Sequence, residues 1–551
     1  MISQSAGPPA TQIAPYLSPA TLRALSMGSV PPMASEPSAV MFLDIVGFTQ
    51  LVRGLAHDGP RGIDTLQRIL AGFFGGTVDI LHRAGGAVEQ FAGDSLLVTF
   101  AGGDGVPRAA SAGCAIQAWV HRFSSAELPQ GQATLTARIG IGYGEIHRIV
   151  LGDPETHLHA LVVGAPADDA IRAEAHARPG DVFVSRQAAG LLPTTFHLEV
   201  TEAGSRVLGG PPVAPPIDPP PVVTTSSAPS ALRFLPPTVA RKIVDAHAGF
   251  AGDFRATTTV FVCADGISAI DATSHAHVDA LYRFLDVEAE RQGGVLLQTD
   301  FTDKGNVLLV VFGAPTAREY KEVAAMRMAC RIQAARARFP LVVSFRIGVA
   351  SGQVYCGDIG CESRRSWTTL GASVNLAARL MTVCPPGGIL ADAPTHERLG
   401  RTFQTRPFGL TTLKGWSEPI ESFAIEGELH GGERAGVAVR GLVGRSAELA
   451  VVAGALGEAG SGRGTALVVS GEPGMGKSAL VAEAGRVAET RGFLVHTGEC
   501  QAHDVHTPFG PWRRLLGQLL EIDPDGGPIA LVSSLQAAIA LRAPDAQGWL
   551  P

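Results

Sequence analysis

The chain lacks the usual features of secreted and membrane-spanning proteins. Its 551 residues include only seven cysteines, which are scattered and form no CxxC pair, so neither a disulfide framework nor a cysteine zinc site is expected. No apolar run approaches the about 18 residues that a membrane helix needs. The amino terminus has no basic segment followed by an apolar core, as a secretory signal would. These absences predict a cytoplasmic protein that does not enter a membrane.

Basic residues are also in the minority. The chain has 44 Lys and Arg against 51 Asp and Glu, a net charge of −7. Proteins that bind nucleic acid through its phosphates usually carry a basic excess, so no nucleic-acid partner is expected. Hydrophobic residues make up 46% of the chain, which is typical of well-buried globular domains. At roughly 150 residues per domain, the length predicts three or four of them.

The chain contains a duplication whose two copies differ in their polar residues. The first copy has the segments FLDIVGFT (42–49), FAGDSLLVTF (91–100) and RIGIGYGEI (138–146). The second copy has FVCADGIS (261–268), DKGNVLLVVF (303–312) and RIGVASGQV (346–354). The first copy has Asp44 and Asp94 at predicted strand ends, whereas the second has Lys304 in a hairpin and Asn375 and Arg379 on a helix. We expect one composite active site between the two halves.

Each copy predicts the order β-α-β-β-α-β, which is the core of a ferredoxin-like α/β (α+β) fold. In the first copy, residues 39–45 are a continuous apolar run, and residues 63–85 and 106–123 have helical spacing. Topology alone predicts no activity, because this fold hosts many functions. The expected domains, in pseudo-twofold pairing, cover residues 35–204 and 233–428. An amino-terminal segment (1–34) precedes them, and a Pro-rich linker (205–232) joins them.

Asp44 and Asp94 form the candidate metal site. Two carboxylates at neighbouring strand ends can hold two divalent ions, Mg²⁺ or Mn²⁺, which bind triphosphate oxygens and activate a hydroxyl. Gly47, three residues after Asp44, allows the backbone to approach phosphate closely. The alternative is a pair of solvated turn aspartates, which is the commoner role of any single aspartate.

Four segments together resemble one protein family: FLDIVGFT, FAGDSLL, TTLGASVNLAARL (368–380) and TLKGWSEPIESFAI (412–425). They are similar to class III nucleotidyl cyclases, and most similar to the soluble adenylyl cyclases. Those proteins carry two cyclase domains in tandem and then a P-loop NTPase. The segment ETHLHALVVG (155–164) is also similar to the first domain of that branch. The resemblance implies a cytoplasmic signalling enzyme that converts ATP to 3′,5′-cyclic AMP and pyrophosphate.

The resemblance implies roles for residues at the phosphate end of the substrate. Asp44 and Asp94 would bind the metal ions, assisted by the carbonyl of Ile45. The other phosphate contacts would be Phe48 and Thr49 through backbone N–H groups, Arg138 through its side chain and, as a weaker candidate, Lys414.

A second group of residues would bind the nucleoside and the transition state. By resemblance, Lys304 and Thr368 read the adenine edge, with backbone contact from Thr369. Asn375 orients the ribose, and Arg379 stabilises transition-state charge. Asn375 and Arg379 are four residues apart, so they share one helix face.

The predicted substrate is ATP because of the chemistry of the base-reading pair. Lys304 only donates hydrogen bonds, whereas Thr368 donates and accepts. Adenine N1 accepts and its amino group donates, so this pair fits adenine. A guanine reader would need an acceptor facing N1–H and the 2-amino group. Guanylyl cyclase activity remains the alternative specificity.

The other cleft of the pseudo-twofold pair is predicted to be inactive. It would combine Asp265 with the first copy, and its hairpin offers Asn306 instead of a second metal aspartate. Asp168 and Arg172 would take the places of Asn375 and Arg379. In the soluble cyclases this cleft binds bicarbonate through a lysine and an arginine. Here Gln90 and Ile171 occupy those positions, so we expect weak or absent bicarbonate stimulation.

A third segment, expected over residues 440–551, carries a P-loop. GEPGMGKS (471–478) matches GxxxxGK[ST] between a predicted strand (465–470) and a helix, and a further strand is predicted at 493–501. The residues expected to bind phosphate and magnesium are Gly471, Gly474, Gly476, Lys477 and Ser478. No apolar run ending in paired acidic residues follows. We therefore expect a truncated NTPase module and make no prediction that it hydrolyses ATP.

Two further functional hypotheses remain open. The cyclase pair could act as a non-catalytic nucleotide sensor that signals to a STAND or AAA-like ATPase module. The P-loop alone would fit an ATP-driven signalling ATPase. Retention of Asp44, Asp94, Lys304, Asn375 and Arg379 favours the cyclase. Because both halves lie in one chain, a monomer would suffice for activity.

Overall fold

The chain divides into two compact units, residues 1–428 and 429–551, which are described separately here. The computed structural model describes residues 10–28, 30–47, 51, 54–55, 60–93, 95–127, 135–213, 228–245, 252–267, 270–271, 273–302, 305–318, 320–400, 402–413, 416, 418–429, 445–470, 477–496, 512, 515–516, 519–520 and 528–542.

The first half of unit one is a mixed sheet with helices. Its strands are β1 (Met33–Val46), β2 (Ala87–Ala92), β3 (Ser95–Ala101), β4 (Thr136–Asp153), β5 (His157–Val163), β6 (Val182–Val184), β7 (His197–Val200) and β8 (Ser205–Gly209). Their order is β2-β3-β1-β4-β6-β8-β7, and β5 pairs with the end of β4. The helices are α1 (Ala10–Ile13), α2 (Pro19–Ser26), α3 (Pro60–Arg83), α4 (Gly105–Glu127), α5 (Ala165–His176) and α6 (Arg186–Ala189).

The second half repeats this arrangement strand for strand. Its strands are β9 (Asp253–Asp265), β10 (Gly294–Thr302), β11 (Gly305–Phe312), β12 (Ser344–Gly360), β13 (Arg365–Leu370), β14 (Ile389–Asp392), β15 (Phe403–Thr411) and β16 (Ile420–Glu428). The order is β10-β11-β9-β12-β14-β16-β15, with β13 on β12. The helices are α7 (Ala228–Leu232), α8 (Pro237–Asp245), α9 (His275–Arg291), α10 (Lys321–Ala334), α11 (Ala372–Val383) and α12 (Ala393–Leu399). The predicted pair of α+β domains is confirmed.

Hydrophobic burial explains why these segments form these elements. The apolar run in β1 lies at the centre of its sheet, where Met41 and Leu43 are fully buried. The helical spacing in α3 places Leu66, Phe73 and Phe74 on one face, which packs into the same core. That core also includes residues of the second half, so the two halves are not independently packed.

The predicted Pro-rich linker is shorter than its assigned range of 205–232. Residues 205–209 form β8, which pairs with β6 and β7 in the first sheet. At the other end, residues 228–232 form α7, whose Ala231 is buried beside Leu235 and Val239. Sequence composition missed both ends, because the prolines lie between them.

Two hairpins extend from the sheets and lie against the opposite half. We call them the first arm (residues 147–163, from β4 and β5) and the second arm (residues 355–370, from β12 and β13). Ile149, Leu151, Leu161 and Val163 of the first arm belong to the core of the second half. Reciprocally, Tyr355, Ile359 and Leu370 of the second arm belong to the core of the first half. Each half therefore completes the hydrophobic core of the other.

The described part of unit two includes the helices α13 (Ser446–Gly460), α14 (Lys477–Thr490) and α15 (Pro528–Arg542). The predicted strand at 465–470 is wrong, because these residues form no strand and Val468 is 91% exposed. The strand predicted at 493–501 is not formed over 493–496, and the rest lies outside the described residues. A strand needs a neighbour for its backbone groups, and no described segment of this unit supplies one.

Within these described ranges, none of the helices combines the length and apolar character needed to cross a bilayer.

Candidate active site

Asp44 lies near the end of β1 and is held by residues of both neighbouring strands. Ser95 of β3 faces it in the ladder, and the Ser95 hydroxyl donates to Asp44 Oδ1 at 2.9 Å. Arg138 of β4 faces it from the other side and donates from Nη2 to Asp44 Oδ2 at 2.5 Å. The Asp44 side chain retains 22% exposure. The β1 ladder therefore fixes a carboxylate that still reaches solvent.

Arg138 has a second carboxylate partner that sequence reasoning missed. Its Nη2 lies 2.8 Å from Glu174 Oε1, whose side chain is 10% exposed on α5. The resemblance predicted Arg138 as a triphosphate contact, and the structure shows instead an Asp44–Arg138–Glu174 cluster. The duplication gives no hint of Glu174, because the second copy has Met381 at that position. The correspondence follows from the helix contacts, since Glu174 lies against Gly140 as Met381 lies against Gly348.

The second copy has lost this carboxylate position altogether. Arg346 starts the motif that matches Arg138, and it faces Cys263 in the ladder where Arg138 faces Asp44. The prediction that Asp265 takes the place of Asp44 is therefore wrong. Asp265 lies two residues further along β9 than Cys263, which occupies that place. Residues i and i+2 share one face of a strand, which explains the error. Asp265 accepts hydrogen bonds from Ser344 and Arg346.

The thiol of Cys263, which faces Arg346, does not replace the negative charge of the Asp44 carboxylate. Cys263 is fully buried, and burial raises the pKa of its thiol to about 12. The Asp94 position is also changed, because Asn306 is fully buried in β11 and its Oδ1 accepts a hydrogen bond from Tyr282 at 3.0 Å. Both metal carboxylates are therefore missing from the second copy.

Helix α11 carries Asn375 and Arg379 and lies directly on β12. Gly348 makes this close approach possible: a Cβ there would lie 2.2 Å from the Ala377 carbonyl oxygen and 2.3 Å from the Met381 nitrogen. Val374, Leu376 and Ala377 face inward, so Asn375 is exposed and Arg379 is partly exposed. Arg379 forms no hydrogen bond or ion pair with another described residue, so its guanidinium is available to a ligand.

The strand that carries Thr368 and Thr369 lies beside the hairpin that carries Asp94. Both threonines are buried on β13, at 5% and 1% exposure. A Cβ on Gly93, which precedes Asp94, would lie 4.0 Å from Leu370 Cδ2 at the end of β13. The second arm thus brings the predicted base-reading strand against the predicted metal hairpin of the first half.

Several predicted site residues lie outside the part of the chain that the structure describes. They are Phe48, Thr49, Asp94, Lys304 and Lys414 in unit one, and Gly471, Gly474 and Gly476 in unit two. Ile45 is described and buried in β1. Lys477 begins α14, as a P-loop lysine should, and the side chain of Ser478 next to it is not described.

The opposite cleft keeps neither of the predicted anion ligands of the soluble cyclases. Ile171 replaces one of them, and the adjacent Arg172 is 53% exposed and donates to Asp169 Oδ1 at 2.5 Å. Arg172 therefore pairs with a carboxylate on its own helix.

The described carboxylate fits the divalent cations that the resemblance implies. Asp44 uses one site on Oδ1 for Ser95 and one on Oδ2 for Arg138. A carboxylate has about four lone-pair positions, so both oxygens keep capacity for a cation. Carboxylate oxygens are also the ligands that Mg²⁺ and Mn²⁺ prefer.

Comparison with known proteins matches this architecture to one family. The family model described as the adenylate and guanylate cyclase catalytic domain matches residues 30–213 and 277–427, which is more than half of the chain. The chain belongs to this cyclase family. A second model, described as an AAA ATPase domain, matches residues 441–547 of the cyclase chain. The predicted tandem of two cyclase domains followed by an ATPase domain is confirmed.

The relatives of this cyclase chain include adenylyl cyclases. Adenylate cyclase type 10 of Mus musculus is 26% identical over 405 residues, covering 65% of this chain and 24% of that protein. The human protein of the same name is 25% identical over 407 residues. An uncharacterized Mycobacterium tuberculosis protein is 32% identical over 179 residues, or 31% of each chain. The chain spans about a quarter of the length of the type 10 relatives.

The chain also has partial similarity to solved structures, with TM-scores below 0.5. A class III adenylyl cyclase-like ATP-binding protein from Pseudomonas aeruginosa has a TM-score of 0.46 and 14% identity, and covers 67% of this chain and 86% of that one. The adenylyl cyclase CyaB from P. aeruginosa has a TM-score of 0.30 and 22% identity, and covers 32% of this chain and 97% of that one. Family and relatives together support a nucleotide cyclase.

Proposed function

We propose that this chain is an adenylyl cyclase, which converts ATP to 3′,5′-cyclic AMP and pyrophosphate at one cleft between its two halves. The observation that carries the proposal is the asymmetry of the duplicated ladder. The first copy has Asp44 opposite its motif arginine, and the second has the neutral thiol of Cys263. A pair of domains that only sensed nucleotide would have no need to keep the acidic group in one copy.

The first half would bind the triphosphate end of ATP. Two divalent cations, Mg²⁺ or Mn²⁺, would when bound offset phosphate charge and lower the pKa of the 3′-hydroxyl. Asp44, Asp94 and the Ile45 carbonyl are the groups that would hold them. Arg138 would orient Asp44 through its 2.5 Å contact, and Glu174 would hold Arg138 in place. The backbone N–H groups of Phe48 and Thr49 would face the phosphates.

The second half would position the ribose and stabilise the transition state. Asn375 and Arg379 project from one face of α11, whose position on β12 is set by Gly348. Asn375 would orient the ribose so that its 3′-hydroxyl lies in line with the α-phosphorus. Arg379 would stabilise the charge that develops on the phosphoryl oxygens, a role worth roughly 10³-fold in related transfers.

We propose ATP as the substrate because of the base-reading pair. Thr368 is buried, so its hydroxyl would meet the base edge away from water, where a mismatched partner is costly. Lys304 would donate to adenine N1, which guanine cannot match because its N1 carries a proton. GTP turnover at a rate similar to that of ATP would contradict this specificity.

The duplication supplies a matched control for the central test. Arg379→Ala in the full chain should lower cyclic AMP formation from ATP roughly 10³-fold, whereas Arg172→Ala, at the same position on α5, should leave it unchanged. The assay measures cyclic AMP formation in Mg²⁺ and in Mn²⁺. Equal losses in both variants would contradict the proposed cleft. ATP binding without turnover by wild type in either metal would favour the non-catalytic sensor.

The P-loop of unit two is proposed as a separate nucleotide site. Its support is the match of residues 441–547 to an AAA ATPase domain and the GxxxxGK[ST] motif at 471–478. Lys477→Ala should remove nucleotide binding at this site and leave the cyclase residues intact. The measurement compares ATP binding by Arg379→Ala with that by the double variant that also carries Lys477→Ala. Equal ATP binding by the two proteins would contradict a nucleotide site at the P-loop.

A further inference from the structure

A cluster of two histidines and one aspartate lies where the first arm contacts α9 of the second half. His157 and His159 are on β5 of the first arm, and Asp286 is on α9 of the second half. His157 Nδ1 lies 3.0 Å from Asp286 Oδ1, and His159 Nε2 lies 2.7 Å from Asp286 Oδ2. The three ligand atoms lie within 4.8 Å of one another.

The strand geometry explains how two histidines reach one carboxylate. Residues 157, 159, 161 and 163 point to the same side of β5, and all are buried. Leu161 and Val163 pack into the core of the second half, so the two histidines occupy positions where this face would otherwise be apolar. Their side chains are only 7% and 8% exposed, and that of Asp286 is 18% exposed.

The duplication shows that this cluster is not a requirement of the fold. Counting back from the glycines that precede α5 and α11, His157 and His159 correspond to Arg364 and Ser366 of the second arm. Counting back from Gly85 and Gly293, Asp286 corresponds to Val78. At that other contact, buried Arg364 instead donates to the carbonyl oxygens of Val88 and Glu89, both at 2.9 Å. Hydrogen bonds from one arginine are enough to hold an arm, so the His–His–Asp set is an addition.

From this geometry we infer a binding site for a divalent transition metal, with Zn²⁺ as the fitting ion, formed by His157, His159 and Asp286. Two imidazole nitrogens and one carboxylate oxygen are a normal donor set for zinc, and a fourth tetrahedral position stays open for water. Zinc–ligand bonds of about 2.0 Å put neighbouring ligand atoms about 3.3 Å apart. The three ligand atoms lie within 4.8 Å of one another, so they would have to shift by on the order of 1 Å to enclose the ion.

The surroundings of the cluster suit a cation. A cavity that includes His157 and Asp286 is also lined by the carboxylates of Asp153 and Glu290. Arg283 lines the same cavity, but its charge is offset by Asp279 at 2.7 Å.

The ligands come from both halves, so the metal would bind only the docked pair. Binding to the folded state alone adds stability that grows with metal concentration. The bound metal would therefore cross-link the first arm to α9. This site is chemically distinct from the oxygen-only site expected at Asp44, and the inference does not depend on cyclase activity.

The test is zinc binding by the chelator-treated full chain in excess Mg²⁺, which fills oxygen-ligand sites. Wild type should bind one more Zn²⁺ than His159→Gln or Asp286→Asn does. If the variants still bind the ion, their affinity should be at least about 10-fold lower, as is typical when residues around a metal site are changed. Added Zn²⁺ should raise the thermal midpoint of wild type but not of these variants. His147→Gln, on the same arm and partly exposed, is the control and should behave as wild type.

A direct view of the bound ion decides the case even where a variant folds poorly. The zinc K-edge absorption spectrum of wild type should show only nitrogen and oxygen ligands, including two imidazoles. Sulfur ligands would place the zinc at cysteines and overturn the inference. So would equal zinc stoichiometry and affinity in wild type, His159→Gln and Asp286→Asn, because the cluster would then be a hydrogen-bonded contact only.

Discussion

At the level of single residues, Asp44 and Asp265 are similar in setting and different in position. Each is a strand aspartate that accepts hydrogen bonds from a serine and from the motif arginine of its own half. Only Asp44 faces that arginine directly in the ladder, and Cys263 takes this place in the second half. The pair therefore separates the proposed catalytic role of Asp44 from a role of Asp265 in holding the sheet together.

Asp44→Asn should reduce cyclic AMP formation by about 10²-fold or more, because the proposed ligand of the divalent cations loses its charge. Asp265→Asn should leave turnover within the range of wild type while lowering stability, since it breaks the ion pair with Arg346. Both are measured by turnover and by thermal unfolding. Equal effects of the two changes on turnover would contradict the asymmetry of the clefts.

Asp392 makes stability depend on pH. It is the N-cap of α12 and is 2% exposed. Its carboxylate accepts hydrogen bonds from the Thr395 and Ser351 backbone N–H groups. Burial outweighs these hydrogen bonds and raises its pKa to about 6. Between the unfolded pKa, near 4, and the folded one, the native state binds more protons. Stability therefore falls as pH rises through this window and is level above it.

Asp392→Asn should flatten this dependence, since an asparagine also caps a helix but does not ionise. From pH 4.5 to 7.5 the free energy of unfolding of wild type should fall by about 2 kcal/mol relative to the variant. Urea unfolding at the two pH values measures the difference. A parallel pH dependence of the two proteins would contradict an ionisation cost at this residue.

At the level of secondary-structure elements, the seat of α11 on β12 matters most. Gly348 leaves no room for a Cβ between strand and helix, because the nearest atoms belong to the helix backbone. Any side chain there must push α11 outward, and Asn375 and Arg379 move with it. The same contact exists between Gly140 and α5 in the first half, where Ala170 and Glu174 are the neighbours.

Gly348→Ala should destabilise the protein by roughly 1–3 kcal/mol, the usual cost of overpacking, and lower kcat more than a destabilised but intact site would. Gly103→Ala is the control, because a Cβ at Gly103 meets nothing within 4 Å. Turnover is compared at a temperature where both variants are folded. Wild-type kcat in Gly348→Ala would show that α11 can shift without disturbing the site.

Sequence patterns predicted the elements of unit one well, because those elements bury a clear apolar face. The apolar run before Asp44 and the spacing within 63–85 both correspond to observed elements, β1 and α3. The ladder register could not be read from the motifs, so Asp265 was mistaken for the counterpart of Asp44. Glu174 and the His157–His159–Asp286 cluster depend on contacts between distant segments, which local sequence does not encode. The run at 465–470 shows that apolar character alone does not make a strand.

At the level of the whole molecule, the two copies in unit one have diverged. The proposed catalytic cleft would combine Asp44 with Arg379, and the other would have Cys263, Asn306 and an Arg172 that pairs with Asp169. We therefore expect bicarbonate to stimulate cyclic AMP formation no more than chloride does at the same pH and ionic strength. Turnover measured across a bicarbonate series checks this. Several-fold activation by bicarbonate alone would show that the second cleft binds the anion despite Gln90 and Ile171.

The exchanged arms have a consequence for how the chain can be divided. Leu161 and Val163 fill the core of the second half, and Tyr355 and Leu370 fill that of the first. A protease cut between residues 213 and 228 should consequently yield two fragments that co-elute from a sizing column and part only in denaturant. Fusion of two ancestral copies would then have kept a dimer within one polypeptide. Each copy could change its polar residues while the other copy still completed its hydrophobic core.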